Sequence, residues 1–394
     1  MLFTSTRVLI ASGQYLDDGA VLTEGDSITA VGPRAEIERQ ASEGVPRFDF
    51  DGTLLPGLVD AHVHLIFDGS PDPVPALANS TDETLFEDMR RRAEQLLRSG
   101  VTTARDLGDR HGLALRLAAA IGEGSTPGPR IVSAGTPLTT PGGHCHFLGG
   151  EVSGEDQVRD LVRRNVAAGA GVIKAMVTGG GLTKGGPASH ESQFTAEELA
   201  ALVDESHKAG VQVAAHAHGT DGIAAAVEAG VDTIEHCTWM TDSGLDLRQD
   251  VLKEIIDRRI VVCPAVSPHW RMLPRIFGEE RAAAMFDLVR QMADAGVRLV
   301  AGTDAGVQRA GFNGLVPALG FYSHLGLANS SIIDMATSEA ATALGLGSVT
   351  GRIAPGFRAD LLLVDGDPLA DLTALGNIRA VFAAGRRYQP DTAE

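Results

Sequence analysis

The sequence predicts an α/β protein: a (β/α)8 TIM barrel with a small β-sandwich domain formed by the N- and C-terminal segments. Three observations predict it. Eight strand-like segments alternate with helical ones through the middle of the 394-residue chain. Short strands punctuated by Gly, Asp and Pro fill both ends. Histidine, lysine and aspartate, unusual inside barrel strands, recur at strand ends, where such barrels carry their active face. An open doubly wound sheet is the alternative.

The elements follow in order. Residues 1–56 hold "TRVLIASG", "GAVLTEGDSITAVGP" and "FDFDGTLLPG", which alternate apolar and polar residues between turn signals. Residues 350–394 do the same in "GRIAPGFRADLLLVDGDP" and "IRAVFAAGRRY". The termini of a domain often lie close together, so the two segments are expected to pair into one small β domain. Between them, residues 57–349 carry the barrel strands "GLVDAHVHL", "TTARDLG", "RIVSAG", "VIKAMV", "VQVAAHAH", "DTIEHC", "IVVCPA" and "RLVAGTDAG". Helical stretches separate nearly all of them. "TDETLFEDMRRRAEQLLRSG" stops at Gly100, and "TAEELAALVDESHKAG" opens with Thr195 and Glu198 at capping-box spacing. Three helices close on "AGV" at 209–211, 229–231 and 295–297, with Gly at the helix C-cap.

Composition excludes several classes. A formal charge of −18 repels phosphate backbones and argues against nucleic-acid binding. No stretch approaches the roughly 18 apolar residues of a membrane span, and the N-terminal apolar run breaks too early for a signal peptide. Cys145, Cys237 and Cys263 show no C-x-x-C spacing, which fits a reducing, cytoplasmic setting without disulfides. The expected partner is a small-molecule substrate. A homo-oligomer stays open.

In a strand, alternate side chains leave the same face, so His62 and His64 of the first barrel strand emerge together. Strand four carries Lys174, strand five His216 and His218, strand six His236, and strand eight ends at Asp304. Each has an ordinary reading alone: a hydrogen-bonded core histidine, a snorkelling lysine, a helix-capping aspartate. Together, five strands place a potential ligand at one end, which points to a metal site. Nitrogen and carboxylate ligands without thiolates suit zinc, with manganese, iron or cobalt as options. These histidines and the aspartate exceed one tetrahedral ion and suit two, about 3.5–4 Å apart. An anion must then lie between the ions. Lys174 supplies one if its neutral amine captures carbon dioxide, giving N6-carboxylysine.

These motifs resemble the amidohydrolase superfamily over nearly the whole chain. "PGLVDAHVHL" is similar to its first strand, "GAGVIKAMVTGGG" to its carboxylated-lysine strand, "VAAHAHGTDGIAAAVEAGVDTIEHC" to strands five and six, and "AGTDAG" to strand eight. "GRIAPGFRADLLLVDGDPL" resembles its C-terminal β segment. The nearest branch is the imidazolonepropionase-like group, which includes Xaa-Pro dipeptidases. The resemblance implies that His62, His64 and Asp304 bind a buried metal, that His216 and His236 bind an exposed one, and that carboxylated Lys174 bridges. It also implies that Asp304 handles the proton while metal-bound hydroxide cleaves an amide-type C–N bond of an N-acyl amino acid, dipeptide or related small molecule. Two readings compete. One is a mononuclear ring hydrolase or deaminase of the same superfamily, which commonly lacks the lysine and carries a glutamate near the fifth-strand histidine. The other is a non-catalytic scaffold.

Substrate contacts are expected from His144, at the family's "GGH" position, and from His218, with His146 and Cys145 as weaker candidates. The glycine-rich segment 178–194 is read as a lid over the metals. Lys184 and His190 within it are read as solvated loop residues. Cys237 stands where the branch more often has Gly and is read as filling, and Cys263 as a buried small hydrophobe. Dipeptidase members hold a substrate carboxylate with basic or tyrosine groups. Arg271 and Arg309 are the candidates for that role here.

Overall fold

A computed structural model describes residues 1–388; the last six residues of the expected C-terminal β segment, 389–394, lie outside the described residues. The chain opens with strands β1 (Leu2–Ala11), β2 (Gln14–Glu24), β3 (Ser27–Pro33) and β4 (Arg47–Pro56). Eight strands follow in the middle: β5 (Leu58–Val63), β6 (Val101–Asp106), β7 (Arg130–Ser133), β8 (Val172–Met176), β9 (Gln212–Gly219), β10 (Thr233–Met240), β11 (Val261–Cys263) and β12 (Arg298–Leu299). β13 (Leu361–Val364), β14 (Ile378–Ala383) and β15 (Arg386–Arg387) close the described chain.

Both ends do share a sheet. Its order is β15-β14-β13-β4-β1-β2-β3, so strands from the two termini meet where β13 pairs antiparallel with β4. The expected sandwich is thus a single seven-stranded ladder. Phe3, Phe48 and Phe382 lock that junction, with ring centroids 4.7–5.3 Å apart. Such pairs add about 0.5–1.5 kcal/mol each beyond area burial.

All eight expected barrel strands are present and parallel, but they form two ladders rather than one closed circuit: β5-β6-β7 and β12-β11-β10-β9-β8. The reason is local. β12 is two residues long and β7 four, after which each chain turns irregular and only isolated bridges continue the pairing, Val63 with Ala305 and Leu138 with Ala175. Hydrogen bonds still cross both seams. The Asp304 N–H donates to His62 O at 2.9 Å and the His64 N–H to Ala305 O at 2.8 Å. On the far side the Leu138 N–H donates to Lys174 O at 2.8 Å. β5, β6 and β8 are buried along their whole length, as parallel strands covered on both faces should be.

The helices pack their apolar stripes on these strands. Helix Asp82–Arg98 buries Leu85, Met89, Ala93, Leu96 and Leu97, a three-to-four-residue spacing that lines one face. Burial of each such leucine contributes about 1.5–3 kcal/mol. The expected capping box of helix Ala196–Lys208 is complete: Thr195 accepts from the Glu198 N–H, and Glu198 accepts from the Thr195 N–H. The three "AGV" endings take left-handed glycines, φ 72°, 85° and 90° at Gly210, Gly230 and Gly296, and the following valine N–H bonds back to the helix in each. No helix among the described residues is long and apolar enough to cross a membrane.

The segment leading to Asp304 lies against β5 with no room to spare. A Cβ at Gly302 would come within 2.5 Å of Cys263 Sγ and 2.8 Å of His62 Cβ. Gly302→Ala is expected to destabilise by about 1–3 kcal/mol through overpacking. Gly244→Ala, where nothing lies within 4 Å, should change little. Urea unfolding of both variants checks this, and equal midpoints would contradict the packing described.

Candidate metal centre

His62 is the penultimate residue of β5 and His64 lies just past its end. Their Nε2 atoms approach to 3.3 Å. Asp304 Oδ1 completes a triangle, 3.2 Å from His62 Nε2 and 3.5 Å from His64 Nε2. His236 joins from β10, its ring centroid 5.1 Å from that of His62. A second cluster adjoins: the rings of His216, His218 and His236 lie 4.4–4.7 Å apart, with their ligand atoms within 4.8 Å of one another. His144 lies 4.6 Å from His216, ring to ring. All six expected metal ligands and both expected substrate residues therefore converge on one place. His64, His144, Lys174, His216, His218, His236 and Asp304 line one cavity of about 180 Å³.

Hydrogen bonds on the outer nitrogens fix which nitrogen faces inward. The His62 Nδ1–H donates to Glu235 Oε2 at 2.8 Å, and the His64 Nδ1–H to Gly108 O at 3.4 Å. The His218 Nδ1–H donates to Thr238 Oγ1 at 2.9 Å, while Thr238 gives its own proton to His218 O. His216 is reversed: its Nε2–H donates to Gly179 O at 3.1 Å. Each of these four rings thus turns its second nitrogen toward the cavity, the orientation a metal ligand requires. Burial would lower the pKa of His62, but Asp304 and Glu235 override it and raise it. Burial, the largest effect, pushes the pKa of His64 down to about 3 and that of His218 to about 4. His144 falls to about 3 for the same reason.

Lys174 is 1% exposed, and its Nζ has no hydrogen-bond partner among the described residues. Burial lowers its pKa to about 8. For Asp304 burial would raise the pKa, but His62 and His64 override it and hold the carboxyl well below its usual range.

Two residues reach these positions by leaving ordinary strand geometry. His236 has φ 67° and Asp304 φ 56°, both left-handed. A non-glycine residue there costs of order 1–3 kcal/mol and persists only where its surroundings over-determine it.

Beneath the histidines lies a polar layer that sequence reasoning missed. Glu235 is fully buried and receives Arg105 Nη2 at 2.7 Å as well as His62. Arg105 also donates to Thr233 Oγ1 and Ala61 O. Burial would raise the pKa of Glu235, but Arg105 and His62 override it and keep the carboxylate ionised. Asp60 accepts from Thr303 Oγ1 at 2.6 Å and from the Thr303 N–H, tying β5 to the chain before Asp304. A signal existed for Asp60: it continues the alternation of His62 and His64.

The weaker candidates divide. Cys145 lines the cavity, but burial pushes its thiol up to about 12, so it is a wall and not a nucleophile. Cys237 and Cys263 are buried, as expected of filling residues. Segment 178–194 does fold against the cavity, placing Gly181 and Leu182 in its wall and Thr183 Oγ1 under the Cys145 N–H at 2.8 Å. Lys184 points outward to Asp72. Arg271 stacks on Trp270 and Arg309 is exposed; neither lines the cavity, so neither supplies the anion contact expected of them.

The amidohydrolase family model matches residues 53–388. Ochratoxinase of Aspergillus niger is 26% identical over 400 residues, covering 94% of this chain and 82% of that one. Imidazolonepropionase of Paracoccus denitrificans is 26% identical, covering 92% of each. Among solved structures, a Xaa-Pro dipeptidase with bound methionine in its active site is 28% identical with a TM-score of 0.85, covering 98% of this chain and 99% of that one.

Removing Glu235 leaves Arg105 buried without its counter-ion. Glu235→Ala is expected to cost about 3–5 kcal/mol of stability, the usual penalty for breaking a buried pair from one side. Chemical denaturation measures it; a loss below about 1 kcal/mol would show that the pair is not buried as described.

Proposed function

The chain belongs to the amidohydrolase family, hydrolases acting on carbon–nitrogen bonds, and on that premise we propose that it is a dinuclear metal-dependent enzyme cleaving an amide-type bond of a small N-acyl amino acid or dipeptide-like substrate. The observation that carries this reading is the triangle of His62 Nε2, His64 Nε2 and Asp304 Oδ1. Three potential ligand atoms stand 3.2–3.5 Å apart, two of them on rings whose outer Nδ1 is hydrogen-bonded to the protein. Burial disfavours charge on His62, yet Asp304 and Glu235 raise its pKa, so the cluster calls for positive charge at this point, which a metal ion would supply. Ligands about 2.0–2.1 Å from one zinc ion at tetrahedral angles stand about 3.3–3.4 Å apart.

The buried ion would take His62, His64 and Asp304, and the more exposed one His216 and His236. Lys174 would bridge them as N6-carboxylysine. A neutral amine is what attacks carbon dioxide, and a buried ammonium-forming nitrogen with its pKa near 8 and no protein partner supports that modification. Zinc is the metal the nitrogen–oxygen donor set favours, with manganese, iron or cobalt as substitutes. The cations would lower the pKa of a shared water toward about 7 and polarise the scissile carbonyl.

The chain's own groups would do the rest. Asp304 takes the proton of the attacking water and passes it to the leaving nitrogen. His218 Nε2, freed by the bond to Thr238, is placed to accept a substrate N–H. His144 stands beside it as the second substrate contact. Met176, Leu182 and Val307 supply apolar wall. That lining favours apolar acyl groups.

The two parallel ladders are read as arcs of one barrel, supported by the hydrogen bonds across both seams. The units are 57–349 for the barrel and 1–56 with 350–394 for the small β domain. Three free, buried cysteines support a reducing cytoplasmic location.

Lys174→Ala is expected to carry one metal ion or none, against two for the unaltered chain; full dinuclear occupancy by elemental analysis would refute the bridge. Asp304→Asn should retain some metal yet lose about 10²–10⁴-fold in kcat. Normal turnover by that variant would remove Asp304 from proton transfer. In a series of N-acyl amino acids, each added acyl methylene that fits should raise kcat/KM by up to about fourfold, the equivalent of about 0.8 kcal/mol per buried CH₂. A flat series would contradict the apolar wall.

A further inference from the structure

A second cavity lies at the opposite ends of the strands from the histidines. It has a volume of about 710 Å³ and opens where the beginnings of β6 and β7 meet the terminal sheet. Thr102 and Arg130 wall it on the strand side. Arg358 and Asp360, just before β13, and Arg386, at the β14–β15 turn, wall it on the other. With Arg387 the lining holds four guanidinium groups against two carboxylates, Asp26 and Asp360, in a chain of net charge −18.

The carboxylates leave those guanidiniums under-compensated. Asp26 is exposed. Asp360 already accepts from Thr350 Oγ1 at 2.9 Å and the Ala384 N–H at 2.8 Å, with Arg358 Nε 3.4 Å away. Arg130 Nε, Arg358 Nε and Thr102 Oγ1 are buried atoms with no hydrogen-bond partner among the described residues, and Thr102 itself is 1% exposed. Burial and the neighbouring Arg358 both push the pKa of Arg130 down. The frame is built, not loose. The Gly385 N–H donates to Ala359 O at 2.9 Å, and a Cβ at Gly385 would lie 2.1 Å from Gly25 O, so the β14–β15 turn rests on the β2–β3 turn.

We propose that this cavity binds the phosphate group of a small phosphorylated molecule, held by Arg130, Arg358 and Arg386. Converging guanidiniums repel one another and match phosphate oxygens through paired N–H donors. The volume is that of an ordinary small-ligand pocket. The site stands apart from the metal centre and does not depend on the function proposed for it.

Calorimetric titration of the metal-loaded chain with inorganic phosphate at low ionic strength tests the proposal, with succinate as the carboxylate control. Phosphate could also reach the metals, so His216→Asn is titrated alongside. The expected result is a binding event weakened at least tenfold by Arg130→Gln and by Arg358→Gln, kept in His216→Asn, and at least tenfold weaker for succinate. Hydrolytic activity without phosphate should be unchanged in both arginine variants. Phosphate binding unaltered by those variants would overturn the site, and equal binding of succinate would overturn the phosphate assignment. Should a variant fail to fold, hydrogen exchange of the unaltered chain decides. Phosphate should slow exchange at 122–130 and 383–388, and protection confined to the strand ends around His62 and His216 would overturn the proposal.

Discussion

Glu235 carries a full negative charge with no access to water, and the geometry of the site depends on what it holds. One oxygen takes the Arg105 guanidinium, the other the Nδ1–H of His62. Desolvating such a pair is costly, and its net contribution to stability is small. Its effect on His62 is specific: the ring is held in one tautomer and one orientation, with Nε2 aimed at the cavity. Arg105 in turn donates to the backbone of Ala61, so the network also pins the strand that presents both first-strand histidines. Asp60 performs the parallel task for Asp304 through Thr303. The residues facing the cavity are thus set by a layer that never touches it.

The strand ladders break where the chemistry concentrates. Regular pairing would place successive side chains on opposite faces, and a ring of ligands needs some of them together. Left-handed backbone at His236 and Asp304 solves this, at an energetic cost that seam hydrogen bonds such as Asp304 N–H to His62 O help to offset. β12 is two residues long and β7 four, and the parallel strands divide into two ladders there.

Much of this was legible in the sequence. Parallel strands announce themselves as short apolar runs between helices with clear caps, so all eight could be placed in order, and His62, His64, Lys174, His216, His236 and Asp304 stood out because barrel strands rarely carry such residues. Glu235 did not, because alternation assigns Glu235 and His236 to opposite faces. The φ of 67° at His236 breaks that rule, and both reach His62. Arg105 read as one polar residue in "TTARDLG", and nothing in spacing links it to a glutamate 130 positions away. The split of the parallel strands was hidden too: it follows from the shortness of β7 and β12, which residue pattern does not fix. His218 shows the limit most plainly, since its ligand atom stands within the same reach as those of His216 and His236.

The account rests on cations placed among these side chains around a modified lysine. The most direct measurement is a diffraction experiment on crystals of the intact chain, recorded on both sides of the metal absorption edge. The account predicts two anomalous peaks: one within the triangle of His62, His64 and Asp304, the other beside His216 and His236, with electron density extending past Lys174 Nζ between them. A single peak, or none, with Lys174 ending at its amine would contradict it.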